Sequence, residues 1–351
     1  MKSYQLVAFG SALEPREVET PQPTGTEVLL RTRAAGVCHS DLHLCGGGYD
    51  LGGGRFLSLS DRGVHLPRTL GHETVAEVVA WGPEAQGVQA GDVRLIYPWI
   101  GCGTCANCAG GDENVCTGTP TVLGVHRDGG FADHILVPHP RYLLDLKGID
   151  PVAAAPLACS GLTTYAALKK VLPIARREPI LVMGAGGLGL MFLGLLAAMG
   201  GKGAVVVDID PHKREAALAA GALAAIDGAA PDAMEQARQA LGGPLSAAID
   251  FVGNPATAAF VFDLLAKGGR MILLGLFGGA SPWSLPMLPM KAITIQGSYV
   301  GNLQELHELV DLVSAMPTAP LPIDPRPLDQ ANQALHDLEE GRVVGRAVLL
   351  P

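Results

Sequence analysis

The chain has 351 residues, 48% of them hydrophobic, with 46 glycines and a formal net charge of -9. That length exceeds one ordinary domain and points to two. The negative balance excludes a nucleic-acid surface, which needs clustered Lys and Arg, and no basic run appears.

In chain order, Met1-Lys2-Ser3-Tyr4 opens directly into an alternating pattern with no charged leader, so no secretory signal is expected. Residues 28–34 and 74–79 read as strands. They lie in a first stretch, 1–150, that is rich in Gly, Pro and short β-like runs, the texture of a compact β-domain. From about Ala153 apolar strands alternate with Ala/Leu-rich helices. Strands are expected at 180–183, 204–207, 247–251, 271–274 and 292–296, with helices at 188–199, 213–220, 231–241 and 257–265. This is the βαβ pattern of a doubly wound parallel sheet over 151–297. The tail, 298–351, has helices near 303–314 and 328–340 and a closing strand "GRAVLL", and is expected to return to the first domain. Residues 180–200 carry no charge over a length that suits a membrane span. The glycines near the start of that stretch favour a strand, a turn and a buried helix instead, so no membrane partner is expected.

The stretch "LVMGAGGLGL" holds G-x-G-x-x-G as Gly184, Gly186 and Gly189, with Gly187 and Leu188 between them. It follows a strand and opens a helix, the context in which glycines let backbone approach a pyrophosphate at a helix N-terminus. Asp208 ends the next strand, where a carboxylate accepts hydrogen bonds from adenosine ribose hydroxyls and repels a 2′-phosphate. NAD is therefore favoured over NADP, a preference that Lys213 and Arg214 weaken.

Seven cysteines are present. Cys102, Cys105, Cys108 and Cys116 have the spacing C-x2-C-x2-C-x7-C, and four converging thiolates close a tetrahedral zinc shell that has no room for substrate. An iron–sulfur cluster is the rival, but the last interval is long and Thr117, not proline, follows. The cluster reads as a structural staple. Cys38 in "CHSDLH", His72 in "GHE" and Cys159 in "LACSGLTTY" supply two thiolates and an imidazole, the ligand set of an open catalytic zinc site. Cys45 reads as a bystander. With six of the seven cysteines as ligands, a disulfide framework is not expected and a reducing cytoplasm is favoured.

"GVCHSDLH", "GHE", the four-cysteine lobe, "ACSGLTTY", "GAGGLG" and "VDID" occur in one order along the chain. In this the sequence resembles the zinc-dependent medium-chain alcohol dehydrogenases, over essentially its whole length. The resemblance implies a GroES-like β-domain carrying both zincs, a Rossmann domain for NAD, and reversible oxidation of primary or secondary alcohols in the cleft between them. It implies that Cys38, His72 and Cys159 hold the catalytic zinc, with Glu73 behind the metal and Asp41 fixing the tautomer of His72. Ser40 would take the alcohol proton and pass it by way of the nicotinamide ribose to His43. His39 and Arg346 would lie near the cofactor pyrophosphate, Thr163 near the nicotinamide, and Lys213 at the adenosine ribose. Trp99 would narrow the substrate pocket. A homo-oligomer is implied, a tetramer rather than a dimer. A polyol or sugar-alcohol dehydrogenase is the nearest alternative, and a non-enzymatic zinc- and dinucleotide-binding relative the more distant one. Two departures stand out. Ala76 replaces a common glycine, and the loop 44–70 is longer than usual, with Tyr49, Leu51 and Phe56 as candidate walls of a substrate entrance or simply parts of a surface insertion.

Overall fold

Strand Val28–Gly36 buries every residue except Arg31 and Arg33, as expected of a central strand with most of both faces covered. The computed structural model, which describes residues 1–317 and 320–351, pairs this strand antiparallel with Glu73–Trp81 on one side and Arg346–Leu350 on the other. The sheet runs Leu143–Asp145, Val93–Ile96, Glu73–Trp81, Val28–Gly36, Arg346–Leu350, Ile323–Pro327, and His134–Val137 also pairs with Val28–Gly36. A three-stranded sheet of Glu14–Glu17, Lys2–Leu6 and Arg68–Thr69 completes the β-structure of a first compact unit. That unit comprises Met1–Gly48, Ser58–Leu162 and Gly301–Pro351.

Register decides what meets at the centre. Gly36 stands opposite Glu73 on one flank and Val348 on the other. A side chain at Gly36 would place its Cβ 2.1 Å from Glu73 Oε2. Only glycine leaves room there for a buried carboxylate between strands.

The second unit comprises Tyr49–Leu57 and Thr163–Val300. Its sheet is parallel, in the order Ala224–Asp227, Ala204–Asp208, Ile180–Met183, Leu245–Asp250, Leu265–Leu273, Thr294–Gly297. This is the doubly wound order that reverses beside its first strand. Helices Gly187–Ala198, Pro211–Ala219, Ala233–Leu241 and Pro255–Leu264 make the crossovers. Phe192 is wholly buried, a side chain whose removal from water contributes about 1.5–3 kcal/mol. The alanine-rich strand Ala224–Asp227 and the sixteen-residue helix Ser160–Ala175 go beyond the elements read from the sequence.

The uncharged stretch 180–200 is the strand Ile180–Met183, a glycine turn and the helix Gly187–Ala198. Among the described residues no single helix is long and apolar enough to cross a membrane. Within the loop 44–70, Gly48–Gly52 and Arg55–Ser58 form a hairpin, and the Gly279 N–H donates to the Asp50 carbonyl at 3.1 Å. Leu51 and Phe56 are exposed on that hairpin.

Candidate active site

Cys38 caps the short helix His39–Cys45 in an extended conformation, and its N–H donates to Asp41 Oδ2 at 2.9 Å. The capping contact fixes both the helix start and the thiol direction. Glu73 begins a buried strand with His72 just before it, and Cys159 precedes helix Ser160–Ala175. The ligand atoms of Cys38, His72, Glu73 and Cys159 all lie within 4.8 Å of one another, and all four residues are buried. The two sulfurs are 3.9 Å apart. His72 Nδ1 lies 3.3 Å from Asp41 Oδ1, close enough for charge attraction but without the alignment of a hydrogen bond. Among the described residues neither nitrogen of His72 has a hydrogen-bond partner, and neither has Glu73 Oε2. Buried polar atoms left unpaired in this way are costly. Two sulfurs, an imidazole and a carboxylate converging on one point are the donors a zinc ion takes.

Packed this closely, the four groups also perturb one another's hold on protons. A hydrogen bond with Cys159, and then the positive charge of Arg346, hold the Cys38 thiol well below its usual range. That same bond pushes the Cys159 thiol up. Burial resists charging the His72 ring, but Asp41 outweighs it and the ring's proton affinity rises. Burial raises the Glu73 carboxyl to about 7 against the pull of Arg346. Arg346 is itself buried; its Nη2 lies 3.1 Å from Glu73 Oε1 and its Nη1 donates to the Val37 carbonyl at 3.2 Å. The Ser160 N–H also donates to Glu73 Oε1, at 3.1 Å. Sequence reasoning did not foresee the Arg346–Glu73 pair, because it depends on strand register.

Ser40 and His43 are half-buried on the capped helix, with His39 at its start. Ser40 Oγ is 3.8 Å from Cys38 Sγ. Burial pulls His43 below the ordinary histidine value. Trp99 packs edge-on against His72, centroids 5.5 Å apart, and its Nε1 donates to the Ala158 carbonyl at 2.9 Å.

The four clustered cysteines also converge. Cys105–Cys108, Cys105–Cys116 and Cys102–Cys108 sulfurs are 3.4, 3.9 and 4.0 Å apart. A tetrahedron of thiolates about 2.3 Å from a zinc ion has edges of about 3.8 Å. The sulfurs accept backbone N–H bonds from Cys102, Cys105 and Gly118, each 3.3 Å long. Bonds from Thr104, and then from Cys105, pull Cys102 to about 7, and the Cys108 backbone leads in pulling Cys105 to about 5. Burial pushes Cys108 up to about 12. Glu113 ties the lobe down. Its Oε2 accepts the Gly101 N–H and the Tyr142 hydroxyl, both at 2.9 Å, and its Oε1 accepts Arg141 Nη2 at 2.7 Å. No spacing in the sequence signals that anchor.

In the second unit, the Gly184 N–H donates to the Val207 carbonyl at 2.8 Å and Gly184 has φ +92. A Cβ on Gly189 would sit 2.1 Å from the Gly184 carbonyl, whereas one on Gly186 would meet nothing. The loop therefore packs tightly beneath and stays open above, where Gly186, Gly187 and Leu188 are half-buried. The Asp208 carboxylate accepts the Ala185 N–H at 2.7 Å and the Asp210 N–H at 2.9 Å, fixing it beside the loop. Lys213 is half-buried in the first turn of helix Pro211–Ala219, and Thr163 is buried in Ser160–Ala175.

A GroES-like unit with two convergent thiolate clusters, and a Rossmann unit with an open glycine loop, define a zinc-binding dehydrogenase. Residues 24–147 match the alcohol dehydrogenase GroES-like domain and residues 187–315 match the zinc-binding dehydrogenase domain. The chain is 35% identical to the NAD-dependent alcohol dehydrogenase of Sulfurisphaera tokodaii, covering 100% of both. It is 33% identical to the D-arabinose 1-dehydrogenase (NADP(+)) of Saccharolobus solfataricus, covering 100% of this chain and 97% of that one. Among solved structures, the alcohol dehydrogenase of Aeropyrum pernix superposes with a TM-score of 0.90 at 32% identity, over 100% of both chains. The chain belongs to the zinc-dependent medium-chain alcohol dehydrogenase family.

Proposed function

We propose that this protein oxidises primary or secondary alcohols reversibly to aldehydes or ketones, with hydride passing to NAD and with two zinc ions per chain. Cys38, His72 and Cys159 would hold the catalytic ion, and Cys102, Cys105, Cys108 and Cys116 the structural one. Zinc supplies Lewis acidity at the alcohol oxygen when bound, and NAD supplies the hydride acceptor. Asp41 orients His72, and Arg346 fixes Glu73 behind the ligands. The alcohol loses one hydride and one proton. Ser40 takes the proton and His43 releases it to solvent. Burial lowers the proton affinity of His43, which favours release of the proton to solvent. His39 and Arg346 serve the cofactor pyrophosphate, Thr163 the nicotinamide end, Asp208 and Lys213 the adenosine ribose. The edge of Trp99 against His72 supports a narrowed pocket.

The observation that carries this reading is the convergence of Cys38, His72 and Cys159, with a His72 ring that has no hydrogen-bond partner among the described residues. Likeness to a D-arabinose dehydrogenase keeps a sugar substrate as the second reading. NADH formation across a panel of alcohols, polyols and pentoses tests both. Turnover on simple alcohols supports the first, and turnover on pentoses or polyols alone supports the second. Two bound zincs with no turnover on any of them would favour a non-enzymatic role. A homo-oligomer, tetramer or dimer, belongs to the same proposal. It is supported by the edge strand Thr294–Gly297 and by the exposed Leu285 and Met290 in the segment that precedes it in the sequence. A cytoplasmic setting suits seven unpaired cysteines.

A further inference from the structure

Beside the proposed dinucleotide site lies a guanidinium whose place in the sequence suggests a weakened preference for NAD. Arg214 follows Lys213 in helix Pro211–Ala219. A free arginine just past the strand that ends in Asp208 would favour a 2′-phosphate. Arg214 is not free. Its Nη1 donates to the Asp208 carbonyl at 2.9 Å and its Nη2 pairs with Asp227 Oδ2 at 3.4 Å. Asp227 stands opposite Asp208 in the parallel register of neighbouring strands. Its Oδ1 accepts the Ala229 N–H at 3.0 Å, so the carboxylate is fixed by its own turn. Asp227 is 42% exposed and Arg214 only 20%. The Asp208 carboxylate is bonded separately, to the Ala185 and Asp210 N–H groups. Two carboxylates and one guanidinium thus close the C-terminal ends of these strands, the edge at which open α/β sheets bind ligands.

The geometry points to Asp227 as a positioning residue for cofactor choice: it holds the Arg214 guanidinium against the Asp208 carbonyl, so that the arginine does not serve as a partner for a 2′-phosphate. This rests on the reading of the glycine loop and Asp208 as a dinucleotide site. NADP is then disfavoured twice, once by the Asp208 carboxylate and once by the restraint on the cation that would neutralise a phosphate. Losing the restraint removes a negative charge and releases a positive one.

The test is fluorescence titration of the zinc-loaded full chain with NADH and with NADPH. It compares wild type, Asp227→Asn, and Asp227→Asn combined with Arg214→Ala. Asp227→Asn should raise the affinity for NADPH relative to NADH by about tenfold, a shift of about 1.4 kcal/mol. The double variant should return that ratio to the wild-type value or below it. A merely structural role for Asp227 would weaken both dinucleotides together and leave the ratio unmoved. An unchanged ratio with tight NADH binding overturns the inference alone. A gain that survives in the double variant also overturns it, because charge removal without Arg214 would then suffice. A wild-type chain that binds neither dinucleotide overturns the site itself, and the inference with it.

Discussion

Replacing Glu113 with alanine removes the buried carboxylate that anchors the four-cysteine lobe. Glu113 is 8% exposed and accepts three bonds, from the Gly101 N–H, the Tyr142 hydroxyl and Arg141 Nη2. Arg141 is half exposed, so it turns to water at little cost. The other two donors are buried, and each left unmet costs about 1–3 kcal/mol. The loss should therefore be about 2–6 kcal/mol, against a total stability for an ordinary domain of about 5–15 kcal/mol. Glu113→Gln keeps an acceptor and should lose less. The assay is denaturant unfolding of the zinc-loaded chain, run beside the rate of zinc release to a chromogenic chelator. Glu113→Ala should shift the unfolding midpoint down and speed the release of zinc. A loss below about 1 kcal/mol with unchanged release would refute the anchoring argument.

Three further perturbations follow from the same geometry. Alanine ordinarily improves on glycine in a helix by about 1 kcal/mol, but Gly189→Ala reverses the sign, since its Cβ would sit 2.1 Å from the Gly184 carbonyl. NAD-dependent turnover should fall about a hundredfold through displacement of the loop, and undiminished turnover would contradict the close-packing account. Asp250 is buried and accepts the Val252 and Gly253 N–H groups and the Thr257 hydroxyl, yet burial raises its pKa. The folded state then holds the proton more tightly than the unfolded state. The stability Asp250 contributes is present below its unfolded pKa of about 3.9 and is lost as pH rises through the folded value. Urea unfolding should show Asp250→Asn gaining on wild type as pH rises from about 4 towards neutrality, and a difference that does not vary with pH would count against it. His43→Ala should lower kcat at neutral pH about a hundredfold, with zinc content unchanged and partial rescue by added imidazole. Full activity would remove His43 from the proton path.

What was legible in the sequence is what chemistry places close together along the chain. The glycine loop and the four-cysteine lobe are made by residues a few positions apart, and their spacing carries their geometry. Cys38, His72 and Cys159 were legible only as a set, by residue type and then by resemblance, because they lie far apart along the chain and it is strand pairing that brings the first two together. The pairing of Arg346 with Glu73 depends on Gly36 standing between Glu73 and Val348, a register no local pattern reveals. Strand Ala224–Asp227 was hidden because "AAID" lacks the β-branched run that marks its neighbour "AVVVD". With that strand unseen, the meeting of Asp227 with Arg214 was also out of reach. Helix Ser160–Ala175 was obscured by paired threonines and an internal Pro173.

The central claim is that one zinc, held by Cys38, His72 and Cys159, is the seat of alcohol oxidation, while the other only braces the cysteine lobe. Zinc content per chain should be measured together with NAD-dependent turnover in wild type, Cys38→Ser and Cys105→Ser. The account predicts two zincs and turnover in wild type. It predicts loss of one zinc and of nearly all turnover in Cys38→Ser, and in Cys105→Ser loss of one zinc and of thermal stability with chemistry persisting while the fold lasts. Full zinc content and undiminished turnover in Cys38→Ser would contradict it.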